Sequence, residues 1–186
     1  MGKANIITLK EAAGMINDGD CIAFSGFTIW RRPCQLVYEL LRQGKKDLHL
    51  FEVQGGYQSE VLVGAGAVRL WESSWMGQEI LGKTGVNLSR KQVNGEIIVD
   101  DYSHGHAVAR IMAGACGIPF FPTALAMGTD ILNPEYDGFG RAGLRDGSNP
   151  KISRTKYEIV KDPCFDMGDV LLMPAINPDW ALIYAP

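Results

Sequence analysis

Apolar residues change their spacing several times along the chain, and each change marks an element. Thr8-Leu9-Lys10-Glu11 has the spacing of a capping box, and Leu9, Ala12, Ala13 and Ile16 make the apolar stripe of a first helix, closed by Gly19. Cys21–Phe24 reads as the first core strand. Pro33 at the first helical position, Leu36, Val37, Leu40 and Leu41 on one face, and Gly44 past the end predict a second helix. Asp47–Val53 (DLHLFEV) alternates as a strand does and stops at Gln54-Gly55-Gly56. A short helix is predicted over Ser59–Val63, and a third strand over Val68–Trp71, ending at Glu72-Ser73-Ser74. Residues 77–95 are polar and glycine-spotted with no firm period, so they predict no element beyond a loop. Glu96–Val99 reads as a short strand. Ser103 stands as the N-cap of a helix carrying Ala107, Val108, Ile111, Met112 and Ala115, closed by Gly117 and Pro119. Phe120–Ala126 is read as a further strand, ending at Gly128-Thr129. Asp130–Pro150 is dense in Gly, Pro, Asn and Asp and reads as a long loop or lid. Late strands are expected at Tyr157–Val160, Val170–Met173 and Ala181–Tyr184.

Strands alternating with helices predict an α/β fold, an open, mostly parallel sheet with helices on both faces. With 186 residues, the chain is expected to form a single domain over residues 1–186. Its 46% hydrophobic and 21% charged fractions are those of an ordinary globular protein. A net charge of -3 excludes a nucleic-acid footprint, which needs clustered Lys and Arg; Arg31-Arg32 and Lys45-Lys46 are too small for one. No apolar run reaches membrane-spanning length, and MGKANIITLKEAAG has no signal-peptide core, so a cytoplasmic protein without a membrane partner is expected. Cys21, Cys34, Cys116 and Cys164 form no C-x-x-C pair and read as free thiols.

Composition leaves the chemistry open; the strand ends narrow it. Ser25-Gly26-Phe27-Thr28, Gln54-Gly55-Gly56, Ser73-Ser74 and Gly128-Thr129 each follow a predicted strand with small or glycine residues. In an open α/β sheet the carboxyl ends share one edge, where ligands bind. Glycine there lets backbone N–H groups approach a substrate and hold a developing oxyanion. Taken singly, each glycine is better explained by a tight turn; four such exits together point to a site. Asp100-Asp101-Tyr102-Ser103-His104-Gly105-His106 has metal-ligating residue types, but His104 and His106 on a helix capped by Ser103 face different sides, so no metal is predicted. Gly64-Ala65-Gly66 has Arg69 where a dinucleotide fingerprint needs its third glycine; no phosphate loop and no G-x-S-x-G elbow occur, so no permanently bound cofactor is expected.

Asp18-Gly19, Ile22–Phe24, Gly26-Phe27 and Pro33 resemble the family I coenzyme A-transferase signature, with Ser25 and Arg31 standing where that pattern has glycine. The resemblance extends through Arg32-Pro33, Val37–Gly44, Gly55-Gly56, Asp101-Tyr102-Ser103 and Gly117–Pro122 to the α subunits of the glutaconate type. It implies a CoA-transferase α-subunit (NagB-like) fold paired with a homologous β subunit, in an α2β2 assembly with the active site between the subunits. The implied substrates are an acyl-CoA and a small carboxylic or dicarboxylic acid, coenzyme A being carried as a thioester. In that family a β-subunit glutamate attacks the acyl-CoA, giving an acyl-glutamyl anhydride and then a glutamyl-CoA thioester. No match to that glutamate's motif occurs here, so Glu52, Glu60, Glu72 and Glu96 are not assigned as nucleophiles.

The chain is then expected to supply walls and oxyanion donors: the Gly26-Phe27 turn at the thioester carbonyl, with hydroxyls from Ser25 and Thr28. Arg31 or Arg32 would hold a substrate carboxylate, or else form a surface pair or an intersubunit salt bridge. His104 falls near the position of a working glutamate in the related ring-cleaving CoA hydrolases, where a histidine would serve as general acid or base. Glutaconate-type relatives run well beyond Pro186, so a fragment or reduced member is expected. A ring-opening hydrolase component and a non-catalytic binding or assembly module of the same fold are the alternatives to a transferase.

Overall fold

The computed structural model describes residues 5–79, 82, 84–133, 143–166 and 168–185. A five-stranded parallel sheet runs in the order β4-β3-β2-β1-β8, from β1 (Cys21–Phe24), β2 (Leu48–Phe51), β3 (Val68–Ser73), β4 (Ile98–Asp101) and β8 (Trp180–Leu182). One face of this sheet packs Ile22, Phe24, Leu48, Leu50, Trp71 and Val99 against α1 (Leu9–Met15), α2 (Cys34–Arg42), α3 (Tyr57–Gly64) and α4 (Val86–Val93). The other face meets α5 (His104–Cys116), with Cys21 and Phe51 packed on Ala107. Helices on both faces, as read from the sequence, are therefore present.

The capping box forms as its spacing predicts: the Glu11 N–H donates to Thr8 Oγ1 at 3.2 Å, and the Thr8 N–H to Glu11 Oε2 at 2.8 Å. The helix closes at Met15, before the Gly19 expected to end it. Ser103 Oγ accepts from the His106 N–H at 3.1 Å, and Gly117 ends α5 in the left-handed conformation. Pro33 is the residue before α2 and not its first, and the Ser59–Val63 helix is longer at both ends.

Three strands depart from the reading more deeply. β5 (Phe120–Thr123), β6 (Glu158–Lys161) and β7 (Asp169–Pro174) form a separate antiparallel sheet in the order β5-β7-β6. Phe120–Ala126 thus stops at Thr123, where the chain turns away from its pairing with β7. A single 3-10 turn, Asp130–Leu132, opens the region predicted as a lid; residues 134–142 of that region lie outside the described residues. No helix among the described residues is long and apolar enough to cross a membrane.

The α4 helix occupies the stretch where no element was predicted. Its N-cap, Gly85, offers no side chain; the carboxylate of Glu60 on α3 instead accepts from the Asn87 and Leu88 N–H groups. A carboxylate at a helix N-terminus satisfies orphan donors and opposes the positive end of the helix dipole. Glu60→Ala should therefore cost about 1–2 kcal/mol. A urea titration of the two proteins checks this, and amide exchange should speed up first across 86–93.

Candidate active site

The exits of β1, β2 and β3 lie side by side and bring three of the four predicted turns together. The β1 exit is a tight loop, closed by Phe27 N–H to Trp30 O at 3.1 Å and Trp30 N–H to Phe27 O at 2.7 Å. Gly26 is left-handed, with φ +100, and a Cβ there would lie 2.5 Å from Trp30 O and 2.6 Å from Arg31 O. The second turn presses against the first: a Cβ on Gly56 would lie 1.6 Å from Thr28 O. Ser74 at the β3 exit donates its hydroxyl to Val53 O, tying β3 to β2.

Among the described residues the Gly26 N–H has no acceptor, and the glycine is exposed at the rim of the loop. It is the donor of this loop best suited to a developing oxyanion. Three expected donors are corrected. The Phe27 N–H is consumed by Trp30, and the Thr28 hydroxyl is buried and donates to Glu79 Oε1 at 2.5 Å. The Ser74 hydroxyl is consumed by Val53 O, as just described. Ser25 takes its place in the loop through its N–H to Leu182 O at 3.0 Å, and its Oγ accepts from the Tyr184 N–H at 3.0 Å. Gln54 Oε1 and Ser73 Oγ are buried with no partner among the described residues. The Gly55 N–H is taken by Trp75 O at 2.6 Å.

Arg32 is no carboxylate clamp, because it is spent inside the protein. Its Nε donates to Thr28 O at 2.9 Å, Nη1 to Ser25 O at 3.0 Å and to Glu52 Oε2 at 3.3 Å, and Nη2 to Gln54 O at 2.6 Å. Arg31, by contrast, is exposed, left-handed at φ 55, and forms no ion pair among the described residues. Glu52 is buried and fully engaged, by Trp71 Nε1 at 2.9 Å on one oxygen and by Gln58 Nε2 at 2.8 Å and Arg32 on the other. Burial pushes its carboxyl above the ordinary range, and Arg32 pulls against that shift. With Glu60 capping α4, Glu72 buried against Arg110, and Glu96 paired to Lys91 at 2.8 Å, none of the four excluded glutamates offers a free carboxylate to the turns.

Gly128-Thr129 does not join this site. The pair follows the antiparallel β5, with Thr129 Oγ1 bonded to Ala126 O at 2.7 Å, and both residues are exposed. His104 is exposed at the first position of α5, just past the exit of β4. His106 turns inward, its Nε2 bonded to Leu125 O at 2.9 Å, and burial lowers its pKa. The two rings diverge as their spacing predicts, and no metal-holding group of three or more His, Cys, Asp or Glu occurs among the described residues.

Sequence reasoning missed a charged layer under the site. On the α5 face of the sheet, Glu72 pairs with Arg110 and lies 3.5 Å from the His49 ring; Arg110 is sandwiched between the rings of Phe51 and Tyr102, at 5.2 and 4.5 Å. Asp100 beside it binds Arg145 and, at 3.2 Å, Lys156. Burial alone would raise the Glu72 carboxyl, but Arg110 and His49 outweigh it and hold that group well below the usual carboxylate range.

Comparison with known proteins decides the family. A model of the coenzyme A transferase family matches residues 6–185. The chain belongs to that family. It is 35% identical to the A-type subunit of 3-oxoadipate CoA-transferase from Pseudomonas knackmussii, over 98% of this chain and 58% of the relative. It is 27% identical to the A-type subunit of glutaconate CoA-transferase from Acidaminococcus fermentans, over 98% of this chain and 56% of that one. The crystal structure of glutaconate CoA-transferase from the same organism superimposes with a TM-score of 0.84, over 95% of this chain and 55% of that chain. This coenzyme A transferase chain thus spans just over half the length of the curated relatives it matches.

Proposed function

We propose that this chain is the α-type part of a heteromeric CoA-transferase that moves coenzyme A between a small dicarboxylic acyl-CoA and an acceptor acid. The observation that carries the reading is the Gly26 N–H at the β1 exit, without an acceptor among the described residues, in a chain whose buried Glu52 and Glu72 are both paired. A homologous β subunit, in an α2β2 assembly, supplies the nucleophilic glutamate. Its carboxylate attacks the thioester carbonyl carbon, and the negative charge that gathers on the carbonyl oxygen is met by the Gly26 N–H. The coenzyme A thiolate leaves and then attacks the glutamyl carbonyl of the anhydride, releasing the first acid as its carboxylate. The acceptor carboxylate repeats the sequence in reverse and carries coenzyme A away.

Arg31, exposed at the loop's edge and without an ion pair among the described residues, is the guanidinium suited to the far carboxylate of a dicarboxylic acyl group. The relatives named for 3-oxoadipate and glutaconate support that substrate class. The test is to purify the chain with its native partner and assay transfer from glutaconyl-CoA or 3-oxoadipyl-CoA to acetate or succinate. Gly26→Val is expected to cost at least about 100-fold in kcat while the complex still assembles. Wild-type turnover in that variant would sink the oxyanion role. A second reading, ring-opening hydrolysis of a CoA thioester, is favoured by the exposed His104 beside the β4 exit. Hydrolysis without transfer, lost in His104→Gln, would move the assignment there.

A further inference from the structure

Arg32 does something more specific than fill the interior. Its guanidinium reaches three backbone carbonyls from two separate turns: Ser25 O at 3.0 Å and Thr28 O at 2.9 Å in the β1 exit loop, and Gln54 O at 2.6 Å in the β2 exit turn. The fork is buried, and its charge is met by Glu52, itself held by Trp71 and Gln58. The glycines of the site leave room for this arrangement. A Cβ on Gly26 would lie 2.9 Å from Arg32 Cδ, and one on Gly55 would lie 3.0 Å from Glu52 Oε1.

A trans peptide is planar, with the C=O of one residue and the N–H of the next pointing in opposite directions. Holding Ser25 C=O inward therefore holds the Gly26 N–H outward. The geometry points to Arg32 as a positioning residue that aims the Gly26 N–H at the thioester oxygen. This rests on the transferase reading of the loop, but the mechanical claim stands apart from it. Without the guanidinium, the Ser25–Gly26 peptide has no inward anchor, and glycine's freedom lets the peptide plane turn. The same fork bonds Gln54 O, so the two glycine turns keep one spacing. Preorganised donors of this kind avoid reorganisation when charge develops.

Arg32→Met alone leaves the Glu52 carboxylate buried and uncompensated, which threatens folding. The informative protein is therefore the double variant Arg32→Met with Glu52→Gln, which removes both charges and keeps an acceptor for Trp71. In the complex with its native partner, this variant is expected to keep KM for acyl-CoA within about threefold while kcat falls about 100-fold. Arg32→Lys, whose compact ammonium lacks the planar fork that spans both turns, is expected to fall between the double variant and wild type. A crystal structure of the double variant should show the Ser25 carbonyl rotated from its wild-type direction. Wild-type kcat in a well-folded double variant overturns the proposal, as does an unmoved Ser25–Gly26 peptide. If the wild-type complex transfers no coenzyme A, the transferase reading fails by itself, and the direction of the Ser25 carbonyl still decides the role of Arg32.

Discussion

Glu72→Ala is expected to destabilise the folded chain by about 3–5 kcal/mol, the usual cost of removing one partner from a buried ion pair. Glu72 is buried on β3, and its loss leaves Arg110 charged between two aromatic rings with no counterion on that side. For a chain of this size the melting temperature should fall by roughly 10 °C or more. The pH dependence carries the same signature. Glu72 is held below its unfolded value, so its stabilisation is present in full above that value, about 4.3, and is lost as the pH falls below it toward the folded value. Denaturant titrations at pH 7 and pH 3 should therefore show the wild type losing its advantage over the variant in acid. An equal gap at both pH values would mean that folding leaves the Glu72 carboxyl unshifted, and a gap that widens in acid would mean that it is raised.

Gly56→Ala should be the most disruptive single methyl added to the site. The new Cβ would lie 1.6 Å from Thr28 O and 2.5 Å from Thr28 C, so it meets backbone that cannot rotate aside. The strain is purely steric, because Gly56 has an extended φ of -157 that any residue adopts. The two glycine turns must part, and with them the carbonyls that Arg32 holds together. A cost of about 1–3 kcal/mol follows from overpacking, and a loss of turnover of at least about 100-fold follows from the misplaced donor. Gly128→Ala is the informative control: no atom lies within 4 Å of its added Cβ, although its φ of +75 adds local strain. On the transferase reading proposed above, assays of both variants with the partner subunit should show turnover lost in the first and retained in the second. Loss in both would mean that the antiparallel sheet belongs to the site after all.

What the sequence disclosed was local, and what it concealed was tertiary. The capping box at Thr8, the Ser103 cap and the glycine-bearing strand exits are written in neighbouring residues, so they were legible. The α4 helix was not, because its cap is Glu60, on another helix and 27 residues away from Asn87. Phe120–Ala126 and the strands after it have ordinary strand spacing, which says nothing about which sheet they join. Arg31 and Arg32 look equivalent in the sequence, yet Arg32 is buried and Arg31 exposed; the difference lies in carbonyl groups, which no side-chain pattern reveals. The alternation of DLHLFEV marks a strand but not what covers its polar positions: His49 is buried, because that face is covered by a layer that carries its own charges.

The order of the parallel sheet has a consequence for how the chain is made. β1 pairs with β8 along Ile22↔Trp180 and Ala23↔Ala181, and the Cys21 N–H donates to Asp179 Oδ2 at 2.8 Å across a separation of 158 residues. During synthesis β1 acquires β2 early, but its other edge has no strand until β8 emerges. At ribosomal speeds of about 5–20 residues per second that interval is on the order of ten seconds. Throughout it, the nascent chain carries an open hydrogen-bonding edge beside the very loop that holds Gly26, a template for wrong pairing. Ser25 bonds both Leu182 and Tyr184, so the loop can take its final shape only after that edge is covered. Completion of the sheet and maturation of the glycine loop are thus one late event, and a nascent chain stalled before Trp180 would be both sticky and inert.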